Sequence, residues 1–581
     1  MKLKWLTYHI LFLFAVVGYS QNLDKIGSKE AVTVSGGLSF NTITYFQQGL
    51  AIPSREPFTW YASGNLNISI LDVALPFTYT YSNQGGKYTQ PFNRTALHPT
   101  YKWAKAHIGV VSMNFSPYTL SGHLFLGGGV ELTPDKWKIQ AMGGRLNKAV
   151  DYNPIDDNLN EIVYNRFGYG LKVGYEDKGY GGNITLFKSN DQANSLAFVP
   201  LNTTIKPQDN LVMSIDGKAK ITPSLLLEAE YALSALTQNT NAINDLAANN
   251  RSFIHPLING NETTDYFQAY NAALKYNLKF MSVAFNYEHI DPGYKTLGGY
   301  YFNNDLEHYT LAPSFSLFKK KVNLAINTGY QRNNLSKEES ATTNRWVGSI
   351  NASFVPSTQW VFNGNYSNFS TFTQNRPTTD PFYFAGADTL NFYQLTQNAS
   401  AMASYNFGSD QQKNTVQALY NYQESINLNG DIQNAGAFGV NLETDLTGIP
   451  TKIHLTNLAY TMQFIPMAAG LTIAANMNRT LISDFEALFF GPTLNLQKGL
   501  WDKKASLSFG TTYNRQIQNN VLNSNILNHR ISFNYNPKLA NEKWGKMGLS
   551  ANANWMQRFA IDPGTVTISE INVFINLNYS F

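Results

Sequence analysis

No cysteine occurs anywhere in the 581 residues. That excludes a disulfide framework, a thiolate metal centre and lipid attachment through a thiol. Charge is scarce as well. Asp, Glu, Lys and Arg make up 14% of the chain, against about 25% in an ordinary soluble domain. The 43 basic and 39 acidic residues nearly cancel, to a formal +4, so no nucleic-acid partner is expected. Beyond the N-terminal segment there is no apolar run of the roughly 20 residues that a spanning helix needs. The nine histidines are scattered, without His-Glu-x-x-His spacing or another ligand cluster, so neither a metal nor another cofactor is expected. Gly-x-Ser-x-Gly and a Gly-rich phosphate loop before Lys-Ser/Thr are both absent. A hydrolytic triad would have to be assembled from distant residues such as His308 and His454. The expectation is that the protein is not an enzyme.

What the chain does contain is aromatic and neutral polar residues. Tyr, Phe and Trp together reach 14%, yet the mean hydropathy is slightly negative, because Asn, Thr, Ser and Gln fill the intervals. Such a mixture suits strands with one oily face and one wet face. The first twenty residues read as a secretory signal. Lys2 and Lys4 precede the apolar run Ile10 to Val17, and Gly18 and Ser20 offer a cleavage site before Gln21. Its removal lowers the formal charge to +2. The expected organisation is a signal peptide over 1–20 and one β-domain over 21–581.

Period-two alternation decides the fold class. Ile571, Val573, Ile575, Leu577, Tyr579 and Phe581 alternate with Asn572, Phe574, Asn576, Asn578 and Ser580. Met547, Leu549, Ala551, Ala553 and Trp555 alternate with Gly548, Ser550, Asn552 and Asn554. The same pattern recurs around Ala505–Tyr513, Val322–Tyr330, Met281–Tyr287 and Trp60–Ile70. Oily rows begin or end on aromatics, as girdles at the two membrane interfaces would. Connections alternate between short turns, such as Leu71–Ala74, Asp177–Gly179 and Trp501–Lys503, and long polar stretches, such as 147–163, 190–208, 237–264, 369–392 and 516–525. These features predict an all-β fold: a single transmembrane antiparallel up-and-down β-barrel of about 26 strands, within 24–26. Both ends then lie on one side and the strand number is even. The segment 434–464 fits least well: Phe438–Thr447 reads as loop or strand extension leading into Leu458, Tyr460, Met462 and Phe464.

The polar faces carry the candidate site. With Leu211, Met213, Ile215 and Ala219 facing lipid, Asp216, Lys218 and Lys220 face the lumen. Across Pro223, Glu228 and Glu230 face inward, and Arg166 and Lys172 share the inner face earlier in the chain. Opposite charges on neighbouring strands contribute roughly 0.2–1 kcal/mol per pair, so these residues suit a structural ladder; they also suit a lining that selects solutes. Their mixed signs argue against strong selectivity for either ion charge.

The chain ends Asn-Leu-Asn-Tyr-Ser-Phe, and Tyr579 and Phe581 close an oily row. This ending resembles the C-terminal signal of Gram-negative outer-membrane β-barrels, which the barrel assembly machinery reads. The resemblance implies that location, with outer-membrane lipid, lipopolysaccharide and the assembly machinery as partners, and other outer-membrane proteins as further ones. Large barrels of this kind resemble porins or TonB-dependent receptors. Alternation beginning at Val32 and Val34, soon after Gln21, leaves no room for a receptor's plug domain. The porin-like reading implies a channel for passive passage of small polar solutes. The other reading is a non-transport scaffold, or a subunit of a secretion or adhesion assembly. The segment Met113–Gly122, followed by Gly127-Gly128-Gly129, resembles a porin loop that folds inward, and equally suits an ordinary surface loop. The aromatic-rich loop 369–392 is expected to fold over or into the barrel mouth. Deleting Phe581 is expected to reduce the amount of heat-modifiable, folded protein in the membrane; unchanged assembly counts against the terminal signal.

Overall fold

The computed structural model describes residues 32–581 apart from 50–55, 84–93, 154–161, 201–202, 243–256, 259, 301–303, 338–343, 369–393, 428–449, 538–544 and 562–565. The proposed signal peptide, the occluding loop 369–392 and Phe438–Thr447 therefore lie outside the described residues. The first strands are β1 (Val32–Gln48), β2 (Phe58–Ile70), β3 (Val73–Ser82), β4 (Arg94–Leu97), β5 (Thr100–Tyr101), β6 (Ala104–Asn114), β7 (Ser121–Leu132), β8 (Trp137–Asn147) and β9 (Arg166–Asp177). They continue with β10 (Tyr180–Asp191), β11 (Asp209–Thr222), β12 (Leu225–Thr237), β13 (Thr264–Asn277), β14 (Met281–Ile290), β15 (Leu306–Leu317), β16 (Val322–Arg332), β17 (Asn344–Phe354) and β18 (Trp360–Ser367). The last are β19 (Gln394–Gly408), β20 (Gln412–Asn427), β21 (Pro450–Phe464), β22 (Ala469–Ile482), β23 (Phe485–Leu500), β24 (Ala505–Gln518), β25 (Val521–Tyr535), β26 (Lys546–Phe559) and β27 (Ile568–Ser580).

Apart from β4 and β5, each strand pairs antiparallel with the next, and β27 returns to β1 from Gly37↔Ser580 to Gln48↔Ser569. The sheet is thus closed. β4 and β5 occupy one place in the wall, since both pair with β3 and with β6. The 27 segments therefore make 26 barrel strands. Pro99 explains the interruption. It has no N–H for the ladder, and its carbonyl accepts from Ala106 N at 2.8 Å, while His98 N bonds Pro76 O at 2.8 Å.

The outer face is oily. Ile184, Ile215 and Leu458 are 63%, 58% and 55% exposed, an arrangement that lipid stabilises and water does not. Aromatics bound the band. At one end Tyr231, Tyr270, Tyr287 and Tyr309 stand ring beside ring, and Tyr330 meets Trp346. At the other, Trp501 packs on Tyr535, Trp137 on Tyr175 and Trp360 on Tyr405. Trp346 and Phe354 bracket the band on β17, eight residues apart. That is about 27 Å along the strand and about 20 Å in height at the usual tilt.

Connections at one end run from two to five residues, apart from 536–545. At the other end they run from six to 26 residues, with two exceptions: Ser483–Asp484 and Asn519–Asn520. The second corrects the long loop expected over 516–525. Asn519 and Asn520 have φ of 46° and 65°, the pair of positive angles that a two-residue type I′ hairpin requires and that Asn tolerates. The polar stretch is strand and tight turn. A second correction concerns Leu211. It was expected to face lipid, but it is 2% exposed, packed in a cluster with Ala235 and Ile258. Ile258, from the connection after β12, covers the wall at that point.

Candidate functional site in the lumen

The link between β6 and β7 is the six residues Phe115–Leu120. It turns into the barrel. The turn closes on itself through Phe115 N to Leu120 O at 2.9 Å and Ser116 Oγ to Thr119 Oγ1 at 2.9 Å. Its apolar ends then dock on the inner wall, where Phe115, Leu120, Met113, Phe125, Met142 and Phe187 form one buried cluster. Each such side chain contributes about 1.5–3 kcal/mol when buried. Here the polar-inside expectation fails: this sector of the wall is apolar on both faces, lipid on one side and the loop on the other. Glycines make the room. A Cβ on Gly170 would stand 2.4 Å from the Phe115 ring, and one on Gly144 would stand 2.8 Å from Phe125.

The loop reaches across the bore. Tyr118, 1% exposed, donates its hydroxyl to Glu288 of β14 and accepts from Asn271 Nδ2 of β13 at 3.0 Å. Burial, and then the Glu288 carboxylate, hold this phenol well above its ordinary range. Residues 294–298 of the connection after β14 lie over it. Tyr294 donates to Tyr118 O at 2.9 Å, Thr296 to Thr119 O at 2.6 Å, and Ser121 N to Gly298 O at 3.0 Å. Leu297 N reaches Asn210 Oδ1 at 3.0 Å, and Tyr300 stacks on His123 at 4.1 Å. Of the two alternatives open for Met113–Gly122, the inward loop is the one found.

Around this contact lie the charged candidates. Lys172 donates to Phe115 O and stands 3.6 Å from Asp216, which also accepts from Asn183 at 2.6 Å. Lys218 and Lys138 both bond Glu176, and Lys275 bonds Glu228 at 2.5 Å. Arg166 forks onto Asp191 at 2.7 and 2.9 Å. Glu230 is buried and sits opposite Asp216 in the ladder, while Lys220 is exposed beside the turn at Gly179. The partners Lys138, Glu176, Asp191, Lys275 and Glu288 were not singled out from sequence. Matching inward positions on neighbouring strands would have found most of them. His308 and His454 are not brought together: His308 stands 3.5 Å from Glu288 inside, and His454 contacts Tyr420 on the outer face. Among the described residues no group of His, Asp or Glu side chains could hold a metal ion.

The remaining wall is lined differently. From β21 to β24 runs an amide and hydroxyl ladder: Asn457 to Asn476 at 2.5 Å, Asn476 to Thr493 at 2.7 Å, and Thr493 to Thr512 at 2.8 Å. At the seam Asn576 bonds Ser39 and Asn41 at 2.9 and 2.5 Å.

A closed wall of 26 strands, an oily outer band between two aromatic girdles and a polar, partly filled interior define a large transmembrane β-barrel. No family model and no curated protein matches the chain. Among solved structures it is similar to the translocation pore of the P pilus usher PapC, at 9% identity and TM-score 0.41, over 94% of this chain and 99% of that one. It is also similar to a point mutant of the ferric enterobactin receptor PfeA from Pseudomonas aeruginosa, at 11% identity and TM-score 0.39, over 94% and 80%. OccAB2 of Acinetobacter baumannii matches at 7% identity and TM-score 0.28, over 64% and 93%. At these identities and scores the likenesses say nothing of what this chain carries.

Proposed function

We propose that the protein is an outer-membrane channel for passive passage of small polar solutes, with its bore narrowed on one side by the loops Phe115–Leu120 and 291–300. The observation that carries this reading is the unequal lining of the lumen. Over β6–β14 the inner face is packed against the two loops, whereas on β20–β22 the inward Asn421, Leu455, Asn457, Asn476 and Asn478 keep solvent-accessible surface. Leu455, an inward residue paired with Asn421 and Asn478, is 42% exposed. A wide barrel encloses an aqueous lumen unless something fills it, and an amide-lined wall keeps water.

Conductance of the purified, refolded chain in a planar bilayer tests the reading. Stepwise current at low voltage is the expected result, with weak discrimination between cations and anions because the charges at the loops are paired. A folded barrel that conducts no current overturns it and favours a scaffold or assembly subunit.

A further inference from the structure

We infer that the inner wall of β20–β24 is a binding track for neutral, hydroxyl-rich solutes of the oligosaccharide class. The inference rests on the channel reading and names its substrate class. Strand register sets two parallel rows on this wall. One runs Leu419, Asn457, Asn476, Gly491, Asn514. The next, two residues toward the long-loop end, runs Asn421, Leu455, Asn478, Phe489, Gln516. Amides and apolar groups alternate along the second row and are mixed in the first, and no position in either carries a charge. All of these but Gly491 and Gln516 line one concavity on the inner face, with Asn421, Asn457, Asn476, Asn478 and Asn514 on its walls and Phe489 beside them, while Gln516 is buried and accepts from Ser524.

The chemistry of this surface is that of sugar recognition. A pyranose presents hydroxyls around its edge and an apolar C–H face. Carboxamides match the edge, because each offers two donors and one acceptor oxygen. An aromatic ring matches the face. Phe489 is half-buried, and its neighbour in the facing row is Gly491, whose Cβ would fall 1.8 Å from Tyr513 O. That close backbone approach admits no side chain at Gly491, and Phe489 lines the concavity together with Asn476, Asn478 and Asn514. Rows lie about 7 Å apart along the strands and residues about 4.8 Å apart across them, a spacing that lets several groups touch one ring. An anion or cation finds no counter-charge here, whereas the opposite wall is rich in both. Leu455 and Leu419, left in an aqueous bore, lose water when a C–H face covers them.

Isothermal titration of the refolded full chain with a panel of soluble neutral oligosaccharides (maltohexaose, xylohexaose and mannohexaose) tests the track without any current. Saturable binding of at least one member is expected. Phe489→Ala and Asn478→Leu are each expected to weaken it tenfold or more, while Asn323→Ala, an inner-wall amide away from the track, leaves it unchanged. Heat-modifiable mobility reports that each variant is folded, and the two track variants serve as alternatives should one fail to fold. No saturable binding by any member, or binding that both track variants retain, overturns the proposal. Current without binding refutes the track alone; binding without current refutes the channel reading and leaves the track standing.

Discussion

Replacing Ser116–Thr119 by two glycines is expected to raise single-channel conductance several-fold and to admit larger solutes. The four residues removed include Tyr118 and Thr119, whose bonds to Glu288, Asn271, Tyr294 and Thr296 hold both loops across the bore. Without them residues 294–298 lose their seat. Gly170→Leu approaches the same end by another route. Its side chain would occupy the place of the Phe115 ring, which stands 2.4 Å from even a bare Cβ there, so the loop is displaced although the sequence of the loop is intact. The barrel itself is held by strand pairing and lipid, and it is expected to keep its heat-modifiable mobility in both variants. Conductance unchanged in both, with the barrel folded, means that solute flows past the loops and that they do not set the bore.

Arg in place of Val573 is expected to destabilise the barrel by about 2–4 kcal/mol, because Val573 sits near the middle of β27 on the face turned to lipid. Its neighbours in register are Thr44 and Ala553, with Ile575, 42% exposed, two residues on along the same face. Asn552→Arg is the control. Asn552 stands opposite Ser532 and Phe574 on the inner face, where a guanidinium keeps its water, and the expected loss is well under half as large. Leu549→Arg follows Val573→Arg but more weakly, since Leu549 lies closer to the short-turn end of β26, where a long cation can reach the interface. Urea unfolding in lipid vesicles measures the difference. Equal damage from Val573→Arg and Asn552→Arg overturns the assignment of faces.

Strand identity and facing were legible because the pleat has period two and lipid tolerates no polar row. The alternation at Ile571–Phe581 and Met547–Trp555 therefore translates directly into β27 and β26. The even count of 26 followed from the turns, once Phe438–Thr447 was left out of the wall. Polarity alone misled at Asn519–Asn520. A polar run looks like a loop until the Asn pair is read for its backbone angles. Leu211 misled for the opposite reason. Its strand does point it outward, but a distant segment, Ile258, covers it, and nothing local to Leu211 records that. The lumen loop was half legible. Met113–Gly122 and the glycines after it were noticeable, but the reason the loop turns inward is spread over the wall. Phe125, Met142 and Phe187 give it a surface, and Gly144 and Gly170 give it space. Those inward positions break the oily-outside rule one residue at a time, so each looks like noise in its own strand. The charged ladder was legible in its members and not in its partners, because a salt bridge between β9 and β11, such as Lys218 with Glu176, skips a strand whose glycine leaves the way open.

The seam where β27 meets β1 joins side chains as far as 537 positions apart, as in the bond from Asn576 to Ser39. Ring closure over such a distance costs less than it suggests. The entropy grows with the logarithm of the span, so each doubling adds only about 0.6 kcal/mol. Against it stand twelve paired positions, Gly37 to Gln48 against Ser580 to Ser569. An unclosed intermediate would hold two rows of bare amides and carbonyls in hydrocarbon, each costing several kcal/mol. The first and last strands therefore have no stable existence apart from one another. Once they meet, the sheet has no free margin on which a neighbouring chain could add a strand.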